Sequence, residues 1–148
     1  MSTEVQVVTR VTINASPKAV FKYMRDLKYH YLWNPHIESL KPLQTLKKGA
    51  QYTAKSIVFG RRLETPNTVT VFIENKELEV ENVTGMIRYR VNYSLLPTDT
   101  STVVRCDIEV TAESDAFAFA KPVLRLMTRR ELQSDLQALK VAVEEKLE

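Results

Sequence analysis

The sequence has one cysteine, three glycines and no long apolar run, and these shortages exclude several classes of protein. A lone Cys106 cannot form an internal disulfide, so a small disulfide-stabilised domain is excluded. No apolar run reaches the roughly 18 to 20 residues that span a bilayer. The first ten residues, MSTEVQVVTR, also lack the pattern of a signal peptide. We therefore expect a cytoplasmic protein without stable membrane insertion.

The sequence also lacks the short motifs that identify the large enzyme classes. There is no Gly-x-Ser-x-Gly, no His-Glu-x-x-His, no Gly-x-Gly-x-x-Gly and no phosphate loop. The sequence therefore lacks the motifs of hydrolases, metalloproteases, dinucleotide-binding proteins and nucleotide-binding proteins. The two histidines, His30 and His36, do not cluster with cysteine or with closely spaced carboxylates. We predict no metal, no cofactor and no catalytic residue.

Strong charge of one sign is absent as well. The chain has 21 Lys plus Arg against 18 Asp plus Glu, a net charge of +3. Basic residues cluster only at 47–48, at 61–62 and around 125–130, without a nucleic-acid-binding module or stacking aromatics beside them. Nucleic acid is therefore not an expected partner, and these clusters are interpreted as solvated surface.

The N-terminal third predicts a strand followed by two short helices. Residues 4–13 alternate apolar and polar side chains, which is the period of a half-buried strand. Ser16 suits a helix N-cap and Pro17 suits the first helical position. A second short helix is predicted to end near Trp33, because the residue before Pro35 is pushed toward extended geometry.

The middle of the chain, from about 37 to 111, predicts six consecutive strands joined as a meander. Runs rich in β-branched residues are separated by turn signals such as Lys48-Gly49 and Pro97-Thr98-Asp99. Two alternating apolar stripes should line one concave face: Ile87, Tyr89, Val91, Tyr93 and Leu95, then Val104, Cys106, Ile108 and Val110. Glu77, Glu79 and Glu81 alternate with apolar residues and are expected to face solvent.

The C-terminal segment predicts one long helix from about residue 116 to 148. Its apolar residues recur with a period close to 3.6, at 124, 127, 132, 136, 139, 143 and 147. Pro122 either marks the first turn of this helix or kinks it, since a proline inside would remove a backbone hydrogen bond. The sequence leaves both alternatives open.

This order of elements resembles the START-like (SRPBCC) superfamily, also described as the polyketide cyclase/dehydrase and lipid transport group. The segments that carry the resemblance are residues 15–21 (ASPKAVF), 33–36 (WNPH) and 135–140 (DLQALK). The resemblance covers the whole chain and implies one domain over residues 1–148. It implies the Bet v 1-like helix-grip fold, an α+β architecture. In that fold the elements follow the order β-α-α-β6-α along the chain. The resemblance thus implies a seven-stranded curved antiparallel sheet that wraps around the C-terminal helix and leaves an internal cavity.

A cavity is also expected on physical grounds. A strongly bent sheet and one helix cannot meet along their full length, so a gap opens toward one end. For each residue taken singly, plain core packing is the competing interpretation. The predicted ligand-binding residues are Tyr89, Val91, Tyr93, Val104, Cys106 and Ile108 on the sheet, Phe119, Leu124 and Met127 on the helix side, and Trp33, Tyr52 and Phe59 at the rim or base.

Three functions then compete. The first is binding or transport of a small hydrophobic ligand such as a lipid, sterol, quinone or polyketide-like molecule. The second is a cyclase or dehydratase that uses the same cavity, in which Tyr89 and Tyr93 would donate hydrogen bonds to a ligand carbonyl or point their hydroxyls to water at the cavity mouth. The third is a protein-interaction module that uses the outer face of the sheet or the basic pairs. An exposed patch at Phe117 and Phe119 would favour it, although the same segment could instead act as a lid over the cavity. The sequence identifies neither the ligand nor the oligomeric state.

Overall fold

An antiparallel sheet and a long C-terminal helix make up most of the structure. The computed structural model describes residues 2–58, 60–113 and 120–146. In chain order the elements are β1 (Ser2–Ile13), α1 (Pro17–Arg25), a 3₁₀ turn (Leu27–Tyr29), α2 (His30–Trp33), β2 (Ile37–Lys41), β3 (Gln51–Val58), β4 (Arg61–Ile73), β5 (Glu77–Asn82), β6 (Ile87–Pro97), β7 (Thr102–Glu113) and α3 (Lys121–Glu145).

The sheet is a meander closed by the first strand. Its seven strands follow the order β1-β7-β6-β5-β4-β3-β2, and every neighbouring pair is antiparallel. Each of β2 to β6 pairs with the strand that follows it in the chain, while β1 pairs with β7, the last strand. The predicted α+β helix-grip architecture with seven strands is confirmed.

The first helix forms where the sequence predicts it. The Ser16 hydroxyl accepts a hydrogen bond from the Ala19 N–H at 3.2 Å, and Pro17 is the first helical residue, whose missing N–H would have no partner in any case. The buried face of α1 consists of Val20, Phe21, Tyr23 and Met24. Phe21 contacts Phe72 of β4 edge to face, with 5.3 Å between ring centroids.

The long helix begins later than the sequence predicted. It starts at Lys121 rather than near residue 116, with Ala120 as an extended N-cap residue and Pro122 in the first turn. This position resolves the open question about Pro122, because a proline in the first turn deletes no intrahelical hydrogen bond. Residues 116–119 of the predicted helix lie outside the described residues.

The packing of α3 leaves part of the sheet uncovered. The helix lies closest to β1 and α2. The Arg129 side chain donates to the Val8 carbonyl at 3.2 Å, and Lys140 donates to the Thr12 carbonyl at 2.9 Å. Strand β1 is an edge strand, so these bonds satisfy backbone carbonyls that no neighbouring strand pairs. Space therefore remains between α3 and the strands farther from β1. Within the described residues, no helix is both long enough and apolar enough to cross a membrane.

The three glutamates of β5 lie on the outer face, as predicted, although they are half-buried among polar partners. Arg90 of β6 bridges Glu79 at 2.6 Å and Glu109 of β7 at 2.8 Å. Asn92 donates to Glu77 at 2.8 Å. The arginines of β6 thus belong to ion pairs across the outer face, and they do not point into the space between sheet and helix.

The buried stripe of α3 should dominate stability. We expect Leu136→Ala to lower the free energy of unfolding by about 2 to 5 kcal/mol, because the Leu136 side chain is completely buried and its removal leaves a cavity. Leu126→Ala is the matched control on the same helix, since Leu126 is exposed, and should change stability by less than about 0.5 kcal/mol. Urea denaturation measures both. Equal losses for the two variants would contradict the packing described for α3.

Candidate functional site

A cavity of about 160 Å³ lies between α3, α2 and the inner face of the sheet. Its walls are mainly apolar, and the apolar lining residues are Trp33, Ile37, Leu40, Ala54, Val58, Leu78, Val80, Val91, Ile108, Val110 and Leu132. Polar lining residues come from both the sheet and the helices: His30, Asn34, His36, Tyr52, Ser56, Thr65, Asn67, Tyr89, Tyr93, Thr128, Glu131 and Asp135. The site therefore combines apolar walls with polar side chains from the sheet and from the helices.

The structure brings together half of the residues that the sequence nominated as ligand-binding. Those lining the cavity are Trp33, Tyr52, Tyr89, Val91, Tyr93 and Ile108. Val104 and Cys106 are instead completely buried in the main core, and Leu124 packs in a second apolar cluster with Val5, Ile87, Val110 and Ala112. Met127 is half-buried and is not part of the lining. Phe59 and Phe119 lie outside the described residues, as does Phe117.

The helix contributes three polar residues that the sequence analysis did not nominate. Thr128, Glu131 and Asp135 follow one another at intervals of three and four residues, so they share the face of α3 that lines the cavity. Together with His36 we call them the polar end. A signal was present in the sequence, because Thr128 and Asp135 occupy positions within the apolar stripe between Leu124 and Leu139. Polar residues at buried helical positions indicate a site more often than polar residues on a solvated face.

Burial sets the protonation of the polar end. The pKa of Asp135 is raised to about 8, first by burial and second by the negative charge of Glu131 one turn earlier. Burial also raises the pKa of Glu131 and lowers that of His36, whose Nδ1 lies 3.8 Å from an Asp135 carboxyl oxygen. At neutral pH Asp135 therefore carries a proton and His36 carries no charge, so the two face each other as neutral polar groups.

On the sheet side, hydrogen bonds hold a second polar group in place. The Tyr89 hydroxyl donates to the Asn67 side-chain oxygen and lies 3.4 Å from the Thr65 hydroxyl. Burial raises the pKa of both Tyr89 and Tyr52, so both hydroxyls stay protonated at neutral pH. The Tyr89 hydroxyl therefore has hydrogen-bond partners on the sheet itself, since Asn67 of β4 accepts its proton.

Two residues of α2 form a rigid part of the wall. His30 is buried, its Nε2 lies 2.6 Å from the Met24 carbonyl, and burial lowers its pKa to about 4. It is therefore neutral, and Nε2 is the nitrogen that donates to the carbonyl. The Trp33 indole N–H donates to the Tyr23 carbonyl at 3.1 Å, and its ring meets Tyr93 edge to face at 5.6 Å. These contacts tie α2 to both α1 and β6.

Chemically, the arrangement suits a molecule with an apolar body and a polar group at one end. The apolar walls remove the body from water, which is favourable by about 25 cal/mol for each Å² buried. The polar end and the Tyr89 group then orient the molecule. Among the described residues that line the cavity, none is a lysine or an arginine.

Comparison with known proteins assigns the family. The family described as "Polyketide cyclase / dehydrase and lipid transport" matches residues 4–144, and the chain belongs to that family. The resemblance noted from the sequence is therefore confirmed. No curated protein matches the chain.

Solved structures share the fold at low sequence identity. A START superfamily protein from Mycobacterium smegmatis has a TM-score of 0.81 and 19% identity, over 95% of this chain and 97% of that one. The Zhui aromatase/cyclase from a Streptomyces species has a TM-score of 0.80 and 15% identity, over 98% and 96%. A norcoclaurine synthase point mutant from Thalictrum, in complex with a transition-state analogue, has a TM-score of 0.73 and 14% identity, over 100% and 99%. At such identities the likeness establishes the fold alone.

The buried Asp135 should make stability fall as pH rises. Its folded pKa of about 8 lies above the ordinary value of 3.8, so the folded state holds a proton that the unfolded state has lost over this interval. The two histidines, whose pKa values are lowered, change the stability only below their ordinary pKa of 6.5. Between pH 6.5 and 8 the pH dependence of stability therefore reports on Asp135.

We expect Asp135→Asn to remove this fall and to stabilise the protein at pH 8 by at least about 1 kcal/mol. Chemical denaturation at both ends of the window measures the effect. Asp99→Asn, at an exposed position, is the control and should leave the pH profile unchanged. An unaltered profile in Asp135→Asn would contradict the protonated state assigned to this carboxyl.

Proposed function

We propose that this member of the polyketide cyclase/dehydrase and lipid transport family binds a small hydrophobic molecule in the cavity between α3 and the sheet. The observation that carries the proposal is a mainly apolar lining with a few polar groups in defined places, among them the polar end. Concave sites of this composition, mostly apolar with a few placed polar groups, are typical of small-molecule binding.

The size of the cavity limits what it holds in this conformation. A volume of about 160 Å³ resembles that of an apolar cavity of about 150 Å³ that binds benzene. One ring or a short branched chain therefore fits inside. A larger lipid, sterol, quinone or polyketide-like ligand would extend through the mouth or require the walls to separate. We accordingly propose that the buried part of the ligand is the size of a single ring.

Cyclase-like catalysis is the second candidate, and the polar end is the observation that favours it. Asp135 is protonated near neutral pH, while Glu131 lies one turn away on the same helix. Two neighbouring carboxyl groups, one of which holds a proton near neutral pH, are suited to proton transfer in both directions. The Glu131 carboxylate would take a proton from the carbon beside one ligand carbonyl, and that carbon would attack a second carbonyl carbon of the same molecule. The π bond of the second carbonyl breaks as the carbon–carbon bond forms, and Asp135 would give its proton to the resulting alkoxide oxygen.

Native mass spectrometry of protein purified from its own host tests both candidates, followed by extraction of the bound material. For a carrier we expect one small hydrophobic molecule per chain, identical before and after prolonged incubation. For a cyclase we expect a linear precursor to become a ring-closed product, and Glu131→Gln to stop the conversion. Protein that carries no ligand and also ignores a hydrophobic fluorescent probe would contradict both.

Filling the cavity should abolish binding without unfolding the protein. Ala54 of β3 is a small, buried lining residue, so Ala54→Phe places a ring inside the cavity. We expect at least a tenfold loss of affinity for a hydrophobic fluorescent probe, because the ring occupies the volume that the probe needs. Thr53→Phe is the matched control, since the neighbouring residue on a strand points to the opposite face. Circular dichroism verifies folding, and unchanged affinity in a folded Ala54→Phe protein would place the probe elsewhere.

A further inference from the structure

The polar end is acidic, which restricts the chemistry of any ligand that reaches it. Glu131 and Asp135 line the cavity four residues apart on α3, so their side chains are neighbours on one helix face. The groups that face Asp135 from the other elements are His36 from the segment after α2, Tyr93 from β6 and Cys106 from β7. None of these groups is charged at neutral pH, because burial lowers the pKa of the histidine, which stays unprotonated, and raises the pKa values of the tyrosine and the thiol, which keep their protons.

A buried hydroxyl at the same place lacks a partner. Thr128 is 4% exposed, and its Oγ1 makes no hydrogen bond within the structure. It lies one turn before Glu131 and lines the cavity. Buried hydroxyls in native proteins nearly always have a partner, so an unpartnered one beside a cavity indicates that a bound molecule supplies it. The hydroxyl oxygen can accept a hydrogen bond from a ligand N–H or O–H group.

These surroundings are unfavourable for an anionic ligand. A carboxylate placed here would meet two carboxyl groups, and no arginine or lysine among the described lining residues would balance it. The arginines of β6 are on the outer face, in ion pairs with glutamates. A fatty-acid head group therefore has no counter-charge at this end of the cavity.

A cationic head group, unlike an anionic one, would find carboxyl groups of opposite charge or acceptor character at this end of the cavity. We infer that the ligand of the proposed binding function carries a protonated amine on an apolar body of about one ring, with its nitrogen beside Glu131. The inference rests on the proposed function and specifies its ligand class. An ammonium group has three donors, and Glu131 is flanked by a second carboxyl one turn later and by the Thr128 hydroxyl one turn earlier. Each of these three side chains offers an acceptor.

Binding of an amine should be coupled to loss of a proton. Burial keeps Asp135 protonated at neutral pH, whereas a neighbouring ammonium group favours the charged carboxylate. The cation therefore displaces the Asp135 proton into solvent. Amine affinity should rise with pH between 6.5 and 8, while the affinity of an uncharged ligand of the same shape should not.

Three probes of one shape test this: phenethylamine, phenethyl alcohol and phenylpropanoate, titrated by calorimetry into the full chain at pH 6.5 and 8. At the higher pH we expect the amine to bind at least tenfold more tightly than the carboxylate. We expect Asp135→Asn and Glu131→Gln each to weaken amine binding at least tenfold and to leave the alcohol unchanged. Thr128→Val should weaken the amine by a smaller factor while stabilising the free protein. Glu145→Gln, at an exposed position near the end of α3, is the control and should change nothing.

The outcomes separate this inference from the proposed function. A carboxylate that binds as well as the amine, or an amine that ignores Asp135→Asn, overturns the inference and leaves hydrophobic binding intact. Binding of the hydrophobic fluorescent probe with no binding of the amine also overturns it. Failure of all three probes and of the fluorescent probe overturns the proposed function itself. Because Asp135→Asn should be more stable than the native protein, loss of binding in this variant is not explained by unfolding.

Discussion

The contact of α3 with β1 and α2 is the constraint on which the rest of the structure depends. Its leucines at 132, 136 and 139 are buried, and Arg129 and Lys140 hold it to the carbonyls of the edge strand. One helix held to one side of a curved sheet cannot also cover the other side. The cavity is therefore a geometric consequence of where the helix is attached, and the interior remains open beside a well-packed core.

The same helix carries side chains that stabilise the fold and side chains whose burial is unfavourable. Its apolar stripe stabilises the fold, while Thr128, Glu131 and Asp135 bring polar groups to a cavity with mainly apolar walls. Burial of a carboxyl without a cation favours the protonated form, and a hydroxyl without a partner is unfavourable. Groups of this kind are retained at functional sites more often than in plain cores. The polar end is thus the part of the cavity where stability and ligand recognition are in opposition.

On the sheet, several polar side chains that line the cavity already have hydrogen-bond partners within the protein. Tyr89, Asn67 and Thr65 satisfy one another by hydrogen bonds between β4 and β6, and Trp33 is fixed by the Tyr23 carbonyl and the Tyr93 ring. These groups form a preorganised wall that needs no ligand to be satisfied. The two sides of the cavity therefore have distinct roles in our proposal: the sheet provides a fixed surface, and the helix provides the unsatisfied groups that a ligand completes.

The sequence by itself determined the order of elements and the inward stripe of β6, because periods of 2.0 and 3.6 residues and a Ser-Pro helix start are local properties of the chain. The helix-grip fold followed from the resemblance of that order and of three short segments to a known family. It also nominated Trp33, Tyr52, Tyr89, Val91, Tyr93 and Ile108, which line the cavity. Only the tertiary structure decided that Val104, Cys106 and Leu124 fill the core while Thr128, Glu131 and Asp135 face the cavity. Alternation reports which face of an element is turned inward. The distance between a helix and that face at each residue depends on contacts between distant parts of the chain. These contacts decide which inward side chains pack in the core and which line the cavity.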